Sequence, residues 1–181
     1  VLPALLQALP AAGLPSASAR EGWIERCAQL RQHLDPKPGD YPREGRSGIN
    51  PYHLIFGLDR YLPAGSRVVC GDATACIVPF QILSMVAGRR MFSNSGCASM
   101  GYDLPAALGA AEAAEREGLG GLTLALAGDG SLMMNLQELQ TLANSHANLA
   151  LLVLDNGGYL SIRQTQQNFF GREHGASPAS G

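Results

Sequence analysis

From about residue 49 onward, short unbroken apolar runs alternate with longer stretches of helical spacing. Arg67–Cys70 (RVVC), Leu122–Ala127 (LTLALA) and Leu149–Leu154 (LALLVL) are runs of strand length, the pattern of strands covered on both faces. Arg90–Ser93 is a fourth candidate strand. Between them, Pro51–Tyr61 is predicted as a helix, with Asn50 as N-cap and Pro51 at the first position. Leu104–Glu117 is Ala-rich and predicted helical, Leu132, Leu136, Leu139 and Ala143 trace one face of a further helix, and Tyr159–Phe170 predicts another. Such alternation predicts an α/β fold, a mostly parallel sheet with helices on both faces. Upstream, Trp23, Cys27, Leu30 and Leu34 recur at helical spacing within Glu21–Leu34. Asp35–Gly48 is rich in Pro, Gly and charge and reads as a linker. Residues 1–48 are therefore expected to end a preceding unit, and residues 49–181 to form the main domain.

Composition narrows the function classes. With 46% hydrophobic and 15% charged residues the 181-residue chain can bury a core. Thirteen basic against fifteen acidic side chains give a net charge of -2, which lacks the basic footprint of a nucleic-acid binder. The apolar runs are too short to span a bilayer, so no membrane partner is expected. Val1–Arg20 is apolar, but Pro3, Pro10 and Pro15 interrupt it and no positive charge precedes Arg20, which argues against a secretory leader. Cys27, Cys70, Cys76 and Cys97 show no C-x-x-C spacing and read as buried thiols of a cytoplasmic protein. The opening Val and the small, polar Gly175–Gly181 end lead us to expect an excerpt of a longer parent.

The candidate chemistry lies where the strands end. Gly71-Asp72, Gly128-Asp129-Gly130-Ser131 and Asp155-Asn156-Gly157-Gly158 each follow a strand, and ligands of such folds sit beyond the carboxyl ends of the strands. Gly128 to Ser131 opens a helix, whose free N–H groups and small side chains suit a phosphate. An Asp in that loop would repel the phosphate unless a divalent cation lay between them. Asn156 can add a neutral amide oxygen, and the Gly157-Gly158 turn a carbonyl. Carboxylate, amide, carbonyl, phosphate and water make a hard oxygen shell suited to magnesium.

G-D-G followed after twenty-five residues by this Asn resembles the thiamine diphosphate motif of the acetolactate synthase and pyruvate oxidase group. Ser95–Ala107 (SGCASMGYDLPAA), Gly128–Leu139 (GDGSLMMNLQEL) and Asp155–Phe170 (DNGGYLSIRQTQQNFF) extend the match. The resemblance implies that Asp129 and Asn156 hold Mg2+ by their side chains and Gly158 by its carbonyl. Gly128, Gly130 and Ser131 would meet the diphosphate, and Met100 would be the apolar wedge under the cofactor. The backbone of Ala98 and Met100 would contact the aminopyrimidine. Thr74, Ala75 and Cys76 would touch phosphate, although Ala75 and Cys76 replace longer polar residues of the family, and Tyr159 would join the cofactor contacts. The implied reaction is decarboxylation of a 2-keto acid, with or without ligation to a second carbonyl. Asp155 stands where the family often has Asn, and Thr165 where the biosynthetic acetolactate synthases usually carry Trp, which favours a relative acting on a larger or sugar-linked carbonyl compound.

The family's activating Glu comes from a pyrimidine-binding domain, usually in a partner subunit of a homodimer or homotetramer. No such domain fits here, and residues 1–34 resemble only the tail of the family's middle domain. The chain is then the diphosphate half of a site, incomplete at its far end and inactive alone. Whether the parent also binds flavin (FAD) stays open. Two other readings stand beside this one: a separately encoded diphosphate-binding subunit, and a non-catalytic phosphate or nucleotide module.

Overall fold

The structure is a computed structural model that describes Gln7 and residues 17–42, 44–45 and 48–176. Most of the apolar opening stretch, and residues 177–181 of the small polar end, lie outside the described residues. The chain divides into two compact units, Val1–Lys37 and Pro38–Gly181. In the first, the described residues include the helix α1 (Ala17–Leu34), closed by a 2.8 Å bond from Arg31 Nε to the Asp35 carboxylate.

The second unit begins with a 3-10 turn (Pro38–Asp40) and a two-strand antiparallel ladder, β1 (Glu44–Gly45) with β2 (Gly48–Ile49), inside the stretch expected to be a linker. Next comes α2 (Pro51–Tyr61), where the Asn50 side chain accepts the Tyr52 N–H at 3.0 Å and Pro51 needs no partner for its nitrogen. There follow β3 (Arg67–Cys70), α3 (Thr74–Ile82), β4 (Arg90–Ser93), α4 (Asp103–Arg116), β5 (Thr123–Gly128), α5 (Asp129–Met134), α6 (Glu138–Asn144), β6 (Leu149–Leu154) and α7 (Leu160–Phe170). The four long strands form one sheet in the order β4-β3-β5-β6, all parallel.

Period-two alternation sorts the core onto both faces. Val68, Cys70, Leu124 and Leu126 pack with Ile55 of α2 and Ala75 and Val78 of α3, while Val69 and Ala125 turn the other way onto Ala107 of α4. The α/β architecture with helices on both faces is thus as expected.

Two expectations fail. Thr74–Ile82 is a helix, although the resemblance implies a phosphate-touching loop at residues 73–76. It is apolar all round and carries Pro79, so neither amphipathic spacing nor composition marks it. The helix expected through Leu132, Leu136, Leu139 and Ala143 is broken between α5 and α6. Its supposed inner face is not buried: Leu136 and Leu139 are exposed. The break occurs because Asn135 gives its side-chain amide to the Gly101 carbonyl at 2.6 Å and leaves helical geometry, at φ -133° and ψ 40°. Among the described residues no helix is long and apolar enough to cross a membrane.

Candidate functional site

Because β3, β5 and β6 are adjacent and parallel, their carboxyl ends deliver three loops to one edge of the sheet. There the loops enclose a cavity lined by Asp72, Thr74 and Ala75 after β3, Gly128 to Ser131 after β5, and Asn156 and Tyr159 after β6. Met100 reaches the same cavity from the loop before α4, and Leu154, Leu160 and Ile162 supply apolar wall.

Asp129 is the hub. Its Oδ1 accepts the Gly130 N–H at 2.8 Å, and its Oδ2 accepts the N–H groups of Asn156 at 3.2 Å and Gly158 at 2.7 Å. The tips of β5 and β6 are therefore joined through one carboxylate. Burial alone would raise the Asp129 pKa, but the three backbone donors, with a smaller contribution from Asp155, hold it below the ordinary carboxylate value. A carboxylate offers about four acceptor positions, so three bonds leave room for a cation. The turn after β6 is braced from outside: Arg163 Nη2 donates to the Asn156 carbonyl at 3.1 Å. Glycine is required at Gly130, where a Cβ would lie 2.7 Å from the Tyr159 ring and 3.3 Å from Met100 Cε. Three non-glycine residues of the strand-end connections stand at positive φ: Ala73 (49°) after β3, Ala98 (50°) after β4 and Tyr159 (43°) after β6. Such residues cluster where a fold keeps backbone strain for function.

A second carboxylate, Asp72, has Oδ2 buried with no protein partner. Burial, and then the charge of Asp103, raise its pKa above the ordinary value. Among the described residues, two carboxylates and no Lys, Arg or His line the cavity, and no cluster of three or more His, Cys, Asp or Glu side chains offers a metal cage.

Residues 71–180 match the family described as thiamine pyrophosphate enzyme, C-terminal TPP binding domain. The chain belongs to that family. It is 32% identical over 148 residues to the acetolactate synthase isozyme 2 large subunit of Escherichia coli K12, covering 82% of this chain and 26% of that protein. It is 34% identical over 167 residues to the isozyme 1 large subunit of the same organism, covering 92% of this chain and 28% of the relative. The acetolactate synthase large subunit of Pyropia yezoensis is 34% identical over 155 residues, covering 86% of this chain and 25% of that protein. This chain thus spans about a quarter of the length of these relatives. An X-ray structure assigned to a thiamin diphosphate-dependent enzyme of Mycobacterium smegmatis superposes with a TM-score of 0.55 at 25% identity, over 61% of this chain and 21% of that one.

Within this thiamine pyrophosphate-binding domain, the residues singled out from sequence divide into three groups. Thr74, Ala75, Met100, Gly128, Asp129, Gly130, Ser131, Asn156 and Tyr159 line the one cavity. Gly158 stands beside it, its N–H on Asp129. Cys76 and Ala98 are not in the wall. The Cys76 side chain packs against the core cluster that contains Cys70, and its N–H bonds the Ala73 carbonyl at 3.0 Å, so neither is offered to a phosphate. Ala98 gives its N–H to the Asn94 carbonyl at 2.6 Å. Two further expectations change in detail. The Ser131 hydroxyl is spent inside the fold, accepting the Gly101 N–H at 2.8 Å and donating to Asp103, and the Gly130 N–H is spent on Asp129. Thr74 and Asn156 both line the cavity. Sequence reasoning missed Asp103 and Asn135, which hold the site through contacts 28 and 34 residues away in sequence.

The family's cofactor fits this chemistry. A diphosphate cannot enter a cavity lined by Asp72 and Asp129 without a cation, and Asp129, the Asn156 amide and the Gly158 carbonyl are oxygen donors of the kind magnesium takes.

Proposed function

We propose that this chain is the diphosphate- and magnesium-binding half of an acetolactate synthase-like enzyme that decarboxylates a 2-keto acid, with or without joining the product to a second carbonyl. The observation that carries the reading is the hydrogen bonding of Asp129 to the 156–158 turn at the edge of a cavity that also contains Met100 and Thr74. Asp129, Asn156 and the Gly158 carbonyl hold Mg2+, and the cation cancels the charge that would otherwise expel a diphosphate. Thr74 donates its hydroxyl to a phosphate oxygen. Met100 forms the apolar floor, and Gly130 lets Met100 and Tyr159 close beside the helix start so that water is kept from that side. Bound thiamine diphosphate supplies the carbanion-stabilising chemistry, and the protein supplies its placement. A pyrimidine-binding domain from a partner subunit completes the site, in a homodimer or homotetramer. The four cysteines are free thiols, with Cys27 and Cys97 exposed rather than buried as expected from sequence, and free thiols support a reducing, cytoplasmic setting.

Calorimetric titration tests the reading. The chain is expected to bind thiamine diphosphate with Mg2+ and to ignore ADP with Mg2+ at the same concentration. Equal binding of the two would favour a general nucleotide or phosphate module instead.

A further inference from the structure

Asp103, the first residue of α4, is fully buried. Among the described residues its carboxylate has no ion pair. It accepts the Leu104 N–H at 2.9 Å on Oδ1 and the Ser131 hydroxyl on Oδ2. A buried carboxylate with two hydrogen-bond donors and no basic partner is costly, and a hydrophobic residue would serve packing alone better. The geometry around it indicates another use. A hydroxyl has one proton, and the acceptor of that proton fixes where its lone pairs point. Because Asp103 takes the Ser131 proton, the Ser131 oxygen is aimed at the Gly101 N–H, 2.8 Å away. On its other side the Gly101 peptide is held by Asn135 Nδ2 at 2.6 Å. Gly101, at φ 85°, lies so close to the helix that a Cβ would come within 2.7 Å of Asn135 Nδ2 and Met134 Cβ. The loop after β3 leans on the same carboxylate, since a Cβ on Gly71 would lie 2.5 Å from Asp103 Oδ2.

We propose that Asp103 is a positioning residue of the cofactor site, whose carboxylate, acting through the Ser131 hydroxyl, holds the Met100-Gly101 turn in register with Gly130 at the start of α5. Met100 and Gly130 are both cavity wall, with Met100 Cε in contact range of the Gly130 position. A turn free to drift from α5 would move the floor away from the helix start and widen the cavity. This inference rests on the thiamine diphosphate reading for its consequence but not for its geometry, so its test has two readouts.

The first readout is amide hydrogen exchange at Gly101 in the ligand-free 181-residue chain. The second is calorimetric affinity for thiamine diphosphate with Mg2+. Asp103→Ala, Ser131→Ala and the double variant are each expected to exchange Gly101 about tenfold faster and to bind about tenfold more weakly, the loss of one charge-assisted hydrogen bond. The double variant is expected to be no worse than either single one, because both remove the same link. Asp103→Asn, which can still present an oxygen to Ser131, should restore Gly101 protection to within about threefold of the unaltered chain, on the same hydrogen-bond argument. Additive losses in the double variant, or Asp103→Ala with unchanged Gly101 exchange and unchanged affinity, would overturn the proposal. Failure of the unaltered chain to bind the cofactor would sink the functional reading alone, and the Gly101 cycle would still decide the link.

Discussion

The two ends of the parallel sheet carry charge in opposite ways. At the amino-terminal end the buried charges are cations, and the fold supplies most of their acceptors, with Arg89 Nε left without a partner among the described residues. Arg67 bonds Thr123 Oγ1 at 3.0 Å and the carbonyls of Gly120 at 3.1 Å and Gly121 at 2.9 Å. Arg89 pairs with Asp59 and donates to the carbonyls of Ser84 at 2.6 Å and Leu62 at 3.0 Å. At the carboxyl-terminal end the charges are carboxylates: Asp72 with an orphan oxygen, Asp103 without an ion pair, and Asp129 held only by N–H donors. Non-glycine residues at positive φ also stand in the loops of that end. The first end is largely closed by its own hydrogen bonds. The other stays open, with carboxylates that have no ion pair among the described residues and with backbone strain.

The sharpest way to break this contrast is at the closed end. Arg67→Ala removes the hydrogen bonds to Thr123 Oγ1 and to the carbonyls of Gly65, Gly120 and Gly121 and is expected to cost about 3 kcal/mol of stability, read from the urea midpoint. Cofactor affinity of the folded fraction should be unchanged. Asp59→Ala should cost about 2 kcal/mol by leaving the Arg89 guanidinium short of its partner. Burial would raise the Asp59 pKa, yet the Ser84 hydroxyl, the Ser84 N–H and Arg89 outweigh it and set it below the ordinary value. A depressed folded pKa gives stability that is present above the unfolded carboxylate value and lost as pH falls through the folded one. Acid titration of stability should accordingly be shallower in Asp59→Ala than in the unaltered chain.

At the open end the sign reverses. Asp72→Asn should raise stability by about 1 kcal/mol at neutral pH, because it removes a like charge beside Asp103 and gives the orphan position a donor. The Asp72 pKa is raised, so its favourable, protonated state is complete below the unfolded value and lost as pH rises through the folded one. The gain from Asp72→Asn should then vanish in acid. Smallest of all, Ala73→Gly should add roughly 0.5 kcal/mol, since relief at φ 49° exceeds the usual entropic cost of glycine. The same exchange in a helix interior would destabilise.

The same division governs what could be read from sequence. Continuous apolar runs mark β3, β4 and β6 at the residues where the structure begins and ends them, and Asn50-Pro51 marks the start of α2, because these signals are local. The strand-end loops were legible as well, since parallel topology obliges them to meet. What stayed hidden was set by tertiary bonds. Nothing near Asn135 in sequence announces that its amide will leave the helix for Gly101. Nothing near Ser131 announces that its hydroxyl will turn inward to Asp103 rather than toward a phosphate. Cys76 illustrates a different limit. The resemblance placed it at the phosphate, yet it is one turn into a helix whose inner side belongs to the core. Burial, reinforced by Cys76, pushes its neighbour Cys70 up to about 12, so that thiol serves as packing.

The most direct test of the central claim is the affinity of the chain for thiamine diphosphate with Mg2+ present and with the metal chelated, repeated with Asp129→Ala. Binding should be lost on chelation, and Asp129→Ala should weaken the Mg2+-supported binding by about a hundredfold, the worth of a charged contact at a partly buried site. Binding that survives chelation and the loss of the Asp129 carboxylate would contradict the view that a cation joins this chain to its ligand.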